Sequence, residues 1–283
     1  MADDRVVSEI VTKFFLDTCQ LRQQMNEDSI AAVTECAIIA TTRSDDVEAD
    51  YIPLTTGSAA EFYIRPMFSC VGDVDIMFHC SDQLAIPAGT APPTQLPAEF
   101  HSRVSVCEII DSTFPGYVYL VTSYLLTECV DDGKYNAVQD TLGFMSCAGL
   151  VRDDSRVGLH VRHGPAVASH FSRTRNSVND FVLVNGSISS TDIVPCIRCL
   201  SWPSQAADWP SRHREYGWPD SATVDRVVSN GCDVVNVAHP VCKQDEWNSN
   251  YQWRLSFSRA EIVLLNSWMP VQQIVYHLSL IHI

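Results

Sequence analysis

The chain has 283 residues, 46% of them hydrophobic and 19% charged, which excludes fibrous and disordered classes and leaves a globular protein with a sizeable core, in one large domain or two lobes. Its 19 basic and 34 acidic residues give a net charge of -15, so the molecule as a whole repels phosphate backbones and would meet nucleic acid only through a segregated basic patch, of which the sequence shows no run. The start MADDRVVSEI is acidic, no apolar run approaches a membrane span, and the 11 cysteines are scattered with one close pair, Cys196 and Cys199; a cytoplasmic protein with free, buried thiols is expected.

Residues 6 to 40 contain no Gly or Pro, and Val7, Ile10, Val11, Phe14, Leu21 and Met25 recur at helical spacing, predicting one long helix. The acidic stretch from Ser44 to Asp50 reads as a solvated loop. Ser58 followed by Glu61 is a capping box and predicts a short helix. From Cys70 to Cys80 the period becomes two: Cys70, Gly72, Val74, Ile76 and Phe78 share one face of a strand, and Asp73, Asp75 and Met77 share the other.

The prolines from Pro87 to Pro97 predict a connector, and SRVSVCEIIDSTFPGYVYLVTSYLL predicts two antiparallel strands joined at Pro115-Gly116. Residues 127 to 180 are polar and read as an irregular surface insertion, with His160, His163 and His170 facing solvent and a small basic group at Arg173 and Arg175. SSTDIVPCIRC predicts a strand with Asp192 at its start and Pro195 near an edge. Asp220 or Ser221 caps a helix that stops at Asn230-Gly231, and Ser258 with Glu261 forms a second capping box before an apolar helix ending at Pro270. Helix, mixed strands and then helices predict an α+β fold rather than a doubly wound sheet.

Adjacent carboxylates on one strand supply hard oxygen ligands for a pair of magnesium ions, and free amides at a helix start can hold a triphosphate. Asp73 and Asp75, with Gly57 and Ser58 upstream, therefore describe a nucleotidyl-transfer site. Asp192, from another strand, is the candidate third carboxylate that helps orient the attacking hydroxyl. The plainer competing reading is the wet face of a strand. Cys196 and Cys199, three residues apart on a strand, point to opposite faces and have no second Cys or His pair nearby, so they do not read as a zinc site.

In chain order, GS, GDVDIMF, GPAV, TDIVPCIRCLSWP and QWRLSFSRAE resemble the cyclic GMP-AMP synthase (cGAS)-like receptors and their male-abnormal-21-like relatives, over most of the chain. The resemblance implies a nucleotidyltransferase-like α+β fold in two lobes, in which the helix from residue 6 is a long spine and a twisted mixed sheet carries the acids. Residues 1–200 would form the nucleotidyltransferase core and 201–283 the start of a C-terminal helical lobe. It also implies a metal-dependent enzyme that joins two nucleoside triphosphates, ATP and/or GTP, into a cyclic dinucleotide in innate immune signalling, using two magnesium or manganese ions. Carried over by motif, Gly57 and Ser58 hold donor phosphates, Asp73, Asp75 and Asp192 hold the metals, and Arg254, Ser256 and Ser258 contact nucleotide. A helix cap at Ser258 and a buried structural arginine at Arg254 are the competing roles.

A double-stranded nucleic acid, RNA in preference to DNA, is the implied activator. Vertebrate cGAS carries a His-Cys-Cys-Cys zinc thumb shortly after WRLSFS, whereas EIVLLNSWMPVQQIVYHL has no cysteine, so no structural zinc is expected. Lys243 is the candidate stand-in for a basic residue that precedes that motif in cGAS. Many relatives have lost some of the acids and act without catalysis, which makes a non-catalytic nucleotide- or partner-binding protein with a developmental or scaffolding role the alternative. Relatives also continue through further helices, so the helical lobe is expected to be incomplete at Ile283, with the closing LSLIHI, residues 278–283, not native.

Overall fold

The computed structural model describes residues 51–57, 74–146, 160–163, 166–169, 191–214, 217–242, 245–268 and 272. The long helix predicted from residue 6, the Ser58–Glu61 capping box, Asp73, His170, Arg173, Arg175, Lys243 and residues 278–283 lie outside them.

The strands are β1 (Tyr51–Thr56), β2 (Val74–Pro87), β3 (Arg103–Asp111), β4 (Tyr117–Glu128), β5 (Tyr135–Phe144), β6 (His160–His163), β7 (Ala166–Ser169), β8 (Thr191–Cys199), β9 (Cys232–Val235) and β10 (Gln252–Ser256). The α-helices are α1 (Ser221–Asn230), α2 (Glu246–Tyr251) and α3 (Ser258–Asn266). Among the described residues the strands make one mixed sheet in the order β1-β2-β3-β4-β10-β9-β8-β7-β6, with β5 added at β4. The content is α+β, as expected.

A further pairing gives the sheet its shape. β2 also runs parallel to β8, so the neighbours β2, β3, β4, β10, β9 and β8 return to β2 and close a ring. Each of these strands sends a side chain into one buried cluster: Ala85, Cys107, Ile109, Val118, Leu120, Ile197, Cys199, Cys232, Val234, Trp253 and Leu255. Residues from every strand of a closed ring can touch one another only on its inside, so this cluster is the interior. A second cluster of Leu84, Ile86, Phe100, Val104, Val106, Leu126 and Tyr135 lies on the other face of β2 and β3, under the proline-rich connector. Both faces of these two strands are buried there.

Strand β2 has 14 residues and works in two halves. Asp75 to Cys80 pair antiparallel with β1, whereas Gln83 to Pro87 pair parallel with β3. Between them the register against β8 shifts from His79 to Leu84. The predicted strand ended at Cys80; the polar run Ser81, Asp82 and Gln83 hides its continuation because a bulge suspends the period-two pattern there.

Other expectations are met or corrected. The strand pair joined at Pro115-Gly116 is present as β3 and β4, antiparallel, and α1 has Asp220 at its N-cap, accepting from the Thr223 amide, and Gly231 at its C-cap. Gly231 sits at φ +63°, and a Cβ there would fall 2.2 Å from the Cys199 carbonyl oxygen, so the turn into β9 requires glycine. The polar stretch 127–180 is not simply an irregular insertion: it holds β5, β6 and β7. Of β5, Val138 and Phe144 are exposed and Tyr135 is buried, so an outlying strand shows little apolar alternation for a sequence reading to detect. His160 and His163 belong to the β6–β7 hairpin.

Pro195 is not near an edge, since β8 is paired on both sides. It falls between Ile193, the last residue paired with β7, and Cys196, the first paired with β9, a gap in the ladder that tolerates a missing amide donor. α3 starts without the expected capping box: Phe257 occupies its N-cap with no side-chain hydrogen bond, and the helix ends at Asn266. The Ser258 hydroxyl is instead paired with that of Ser256 at 3.2 Å.

Candidate active site

The candidate site lies on the outer face of the ring, under α3. Period-two alternation puts Asp75, Met77 and His79 on one face of β2, and three separate contacts tie this row to distant parts of the chain. Asp75 stands opposite Thr56 in β1 and, on the other side of β2, opposite Asp192 at the second position of β8. Two acids more than a hundred positions apart in the sequence thus become neighbours across one parallel ladder.

Gly57 closes against the first of them. It adopts φ +64°, and a Cβ built there would lie 2.1 Å from Asp75 Oδ2. The absence of a side chain therefore lets the backbone after β1 approach the carboxylate. The Thr56 hydroxyl donates to the Asp75 carbonyl oxygen at 3.4 Å, joining the same two elements. Gly57→Ala is expected to displace the Asp75 carboxylate while costing the fold only about 1 kcal/mol for the positive φ. A product assay beside a thermal melt checks this; a loss of turnover on the order of a hundredfold, the scale of an ångström misplacement, with nearly unchanged melting is the expected pair of results.

Further along the row, the Ser256 hydroxyl donates to Met77 Sδ at 3.7 Å. In β10, Trp253 and Leu255 fill the ring interior, so alternation turns Arg254 and Ser256 outward. Arg254 is exposed, and this removes the alternative of a buried structural arginine. Among the described residues no hydrogen bond or ion pair engages its guanidinium, which lies on the face that carries Ser256.

The third contact joins residues that no sequence motif links. His79 is 1% exposed, and its Nδ1 faces Arg259 Nη2 at 3.4 Å. Arg259 Nε donates to Asp233 Oδ2 at 2.8 Å, and Asp233, fully buried, is the register partner of Ser256 in β9–β10 and of Arg198 in β8–β9. Arg198 donates to the carbonyls of Cys199 at 2.8 Å and Cys232 at 2.9 Å, and to that of Asn230. The available signal was charge inside apolar strands, Asp233 in CDVV and Arg198 in PCIRC, since such residues are rarely buried unpaired.

Burial and the two nearby guanidiniums, Arg259 and Arg198, hold His79 down at about 3. It is neutral at pH 7, with Nδ1 accepting from Arg259 and the proton on Nε2, which lies 3.8 Å from Glu99 Oε1. Burial pushes the Asp233 carboxyl upward although Arg259 and Arg198 pull it the other way. Between pH 6.5 and 3 the unfolded chain protonates this histidine and the folded one does not, so stability should fall with acidification by up to about 1.4 kcal/mol per pH unit. Asp233 acts with the opposite sign just above pH 3.8, where the folded state retains a proton that the unfolded one has lost. Urea unfolding of wild type and His79→Gln between pH 7 and 5 isolates the histidine: the variant should lose less stability, and parallel pH slopes would refute the assignment.

Asp75 offers a hard carboxylate oxygen of the kind magnesium or manganese takes, and the backbone of Asp192 runs beside it. Among the described residues no three His, Cys, Asp or Glu side chains group as metal ligands; Asp73 and the side chain of Asp192 lie outside that set. Cys196 and Cys199 are both buried, the first donating to the Phe78 carbonyl at 3.3 Å and the second lying opposite Cys232.

The domain is strand-rich, of mixed α+β content, and nucleotidyltransferase-like. The family model of the Mab-21 protein nucleotidyltransferase domain matches residues 137–267, and over these residues the chain is similar to that family. Asp192, Arg254, Ser256 and Ser258 fall within the matched stretch and Gly57 and Asp75 before it; the β2–β8 ladder joins the two parts.

Proposed function

We propose that this chain is a metal-dependent nucleotidyltransferase of the cGAS-like receptor type, which joins two nucleoside triphosphates, ATP and/or GTP, into a cyclic dinucleotide for innate immune signalling in the cytoplasm. The observation that carries the reading is the meeting of two motifs. The Asp-x-Asp strand lies beside Asp192, and the WRLSFSR segment touches that same strand at Met77 and His79.

In this reading Asp73, Asp75 and Asp192 hold two magnesium or manganese ions. Gly57 and Ser58 receive the donor phosphates, and Arg254, Ser256 and Ser258 bind nucleotide. The bound ions supply charge neutralisation on the transferring phosphoryl group and a lowered acceptor-hydroxyl pKa. Asp75 orients its carboxylate against Gly57, which keeps that side of the acid free of side-chain bulk. Arg254, exposed and engaged by no partner among the described residues, offers a charge for phosphate, and Ser256 with Ser258 presents a hydroxyl pair at the start of α3. A double-stranded nucleic acid, RNA before DNA, is the proposed activator; no described helix is long and apolar enough to cross a membrane.

The test incubates the purified protein with labelled ATP and GTP, magnesium or manganese, and double-stranded RNA or DNA in parallel. A phosphatase-resistant cyclic product is expected. A folded protein that forms no product with any activator would favour a non-catalytic, nucleotide- or partner-binding role.

A further inference from the structure

We propose that Arg259 is a positioning residue, which locks the Ser256–Ser258 turn onto the acid-bearing strand by forking between Asp233 and His79. The proposal rests on the nucleotidyltransferase reading above and adds to it a residue that touches neither metal nor nucleotide. Arg259 is the second residue of α3 and directly follows Ser258. Its Nε holds Asp233 Oδ2 at 2.8 Å, and its Nη2 reaches His79 Nδ1 at 3.4 Å. Those two partners sit on strands that flank β8, the strand of Asp192. Asp233 is the register partner of Ser256, and His79 lies on the Asp75 face of β2. One planar guanidinium therefore ties the serine pair, the strand behind it and the acid row together.

The burial of the cluster strengthens the constraint. Arg259 is 18% exposed and Asp233 0%, so water neither screens the pair nor replaces a lost partner. Buried ion pairs often add little to stability beyond what a well-packed apolar pair would supply. A fork with two fixed partners does supply direction, which a lysine cannot reproduce. Helix α3 also has no side-chain cap at Phe257, so these contacts hold its first turn.

Three proteins test the proposal: wild type, Arg259→Lys, and the apolar double variant Asp233→Val with Arg259→Met, which removes both charges together and preserves folding if the lysine form does not. Hydrogen exchange of residues 252–262 and steady-state synthesis from ATP and GTP are measured on each, with urea midpoints as the control for folding. In variants of near-wild-type midpoint, faster exchange in that segment and a fall in kcat of tenfold or more at little-changed KM are expected. Unchanged exchange, or faster exchange with wild-type kinetics, would overturn the positioning role. If wild type itself makes no product, the synthase reading fails, and calorimetric binding of ATP with magnesium decides: weaker binding by both variants supports the fork, and equal or absent binding overturns it.

Discussion

Asp75→Asn should abolish cyclic-product formation, lowering turnover by roughly a thousandfold or more, while the protein melts at the wild-type temperature. The substitution keeps side-chain volume and removes one negative charge from a half-buried position that faces Asp192 across the β2–β8 ladder. On the metal-binding role proposed for Asp75, losing an anionic ligand forfeits several kcal/mol of transition-state stabilisation, and about 4 kcal/mol corresponds to a factor near a thousand. Folding should be spared, because an amide is less costly than a carboxylate beside Gly57 and another acid. The check is single-turnover synthesis with labelled nucleotide, together with a thermal melt. Wild-type turnover in the variant would remove Asp75 from the mechanism and, with it, the proposed acid set. Lost turnover accompanied by a collapsed melt would assign Asp75 to folding instead.

Trp253→Ala carries the largest expected cost to stability, about 3–5 kcal/mol. Trp253 is fully buried within a cluster fed by all the strands of the ring, and its Nε1 donates to the Met145 carbonyl at 3.3 Å. Deleting the indole leaves a cavity where strands converge from several directions, and each is held by its neighbours, so the site cannot collapse to fill it. Equilibrium urea unfolding gives the measurement. A loss below about 1 kcal/mol would mean that β10 does not close the ring around its tryptophan. Because Arg254 and Ser256 lie on the other face of that short strand, the same substitution should also weaken nucleotide binding.

Much of the local structure around the candidate site is legible in residue order, since its members sit in local patterns. The alternation through Asp73, Asp75 and Met77 announced a strand with acids on one face, and the described part from Val74 onward bears that strand out. Asp192 was placed at a strand start, and β8 begins at Thr191. The hairpin at Pro115-Gly116 and the cap at Asp220 were likewise legible, because turn and cap chemistry depends only on neighbours. The failures also have local causes. The bulge after His79 hides half of β2, the exposed β5 lacks an apolar stripe, and the gap between β7 and β9 that accommodates Pro195 has no signature within β8 itself.

By itself, the sequence determined which residue types stand at short range from one another: the paired acids, the serines of WRLSFS, the charges embedded in CDVV and PCIRC. Only the tertiary structure decided which of them meet. The parallel β2–β8 ladder put Asp192 beside Asp75, the ring sorted Trp253 inward and Arg254 outward, and the packing of α3 brought Arg259 to His79 and Asp233. Periodicity specifies the face on which a side chain emerges, whereas the neighbour it finds there depends on long-range strand pairing. That pairing is set by the burial of whole apolar faces together, a collective term to which no single segment holds the key.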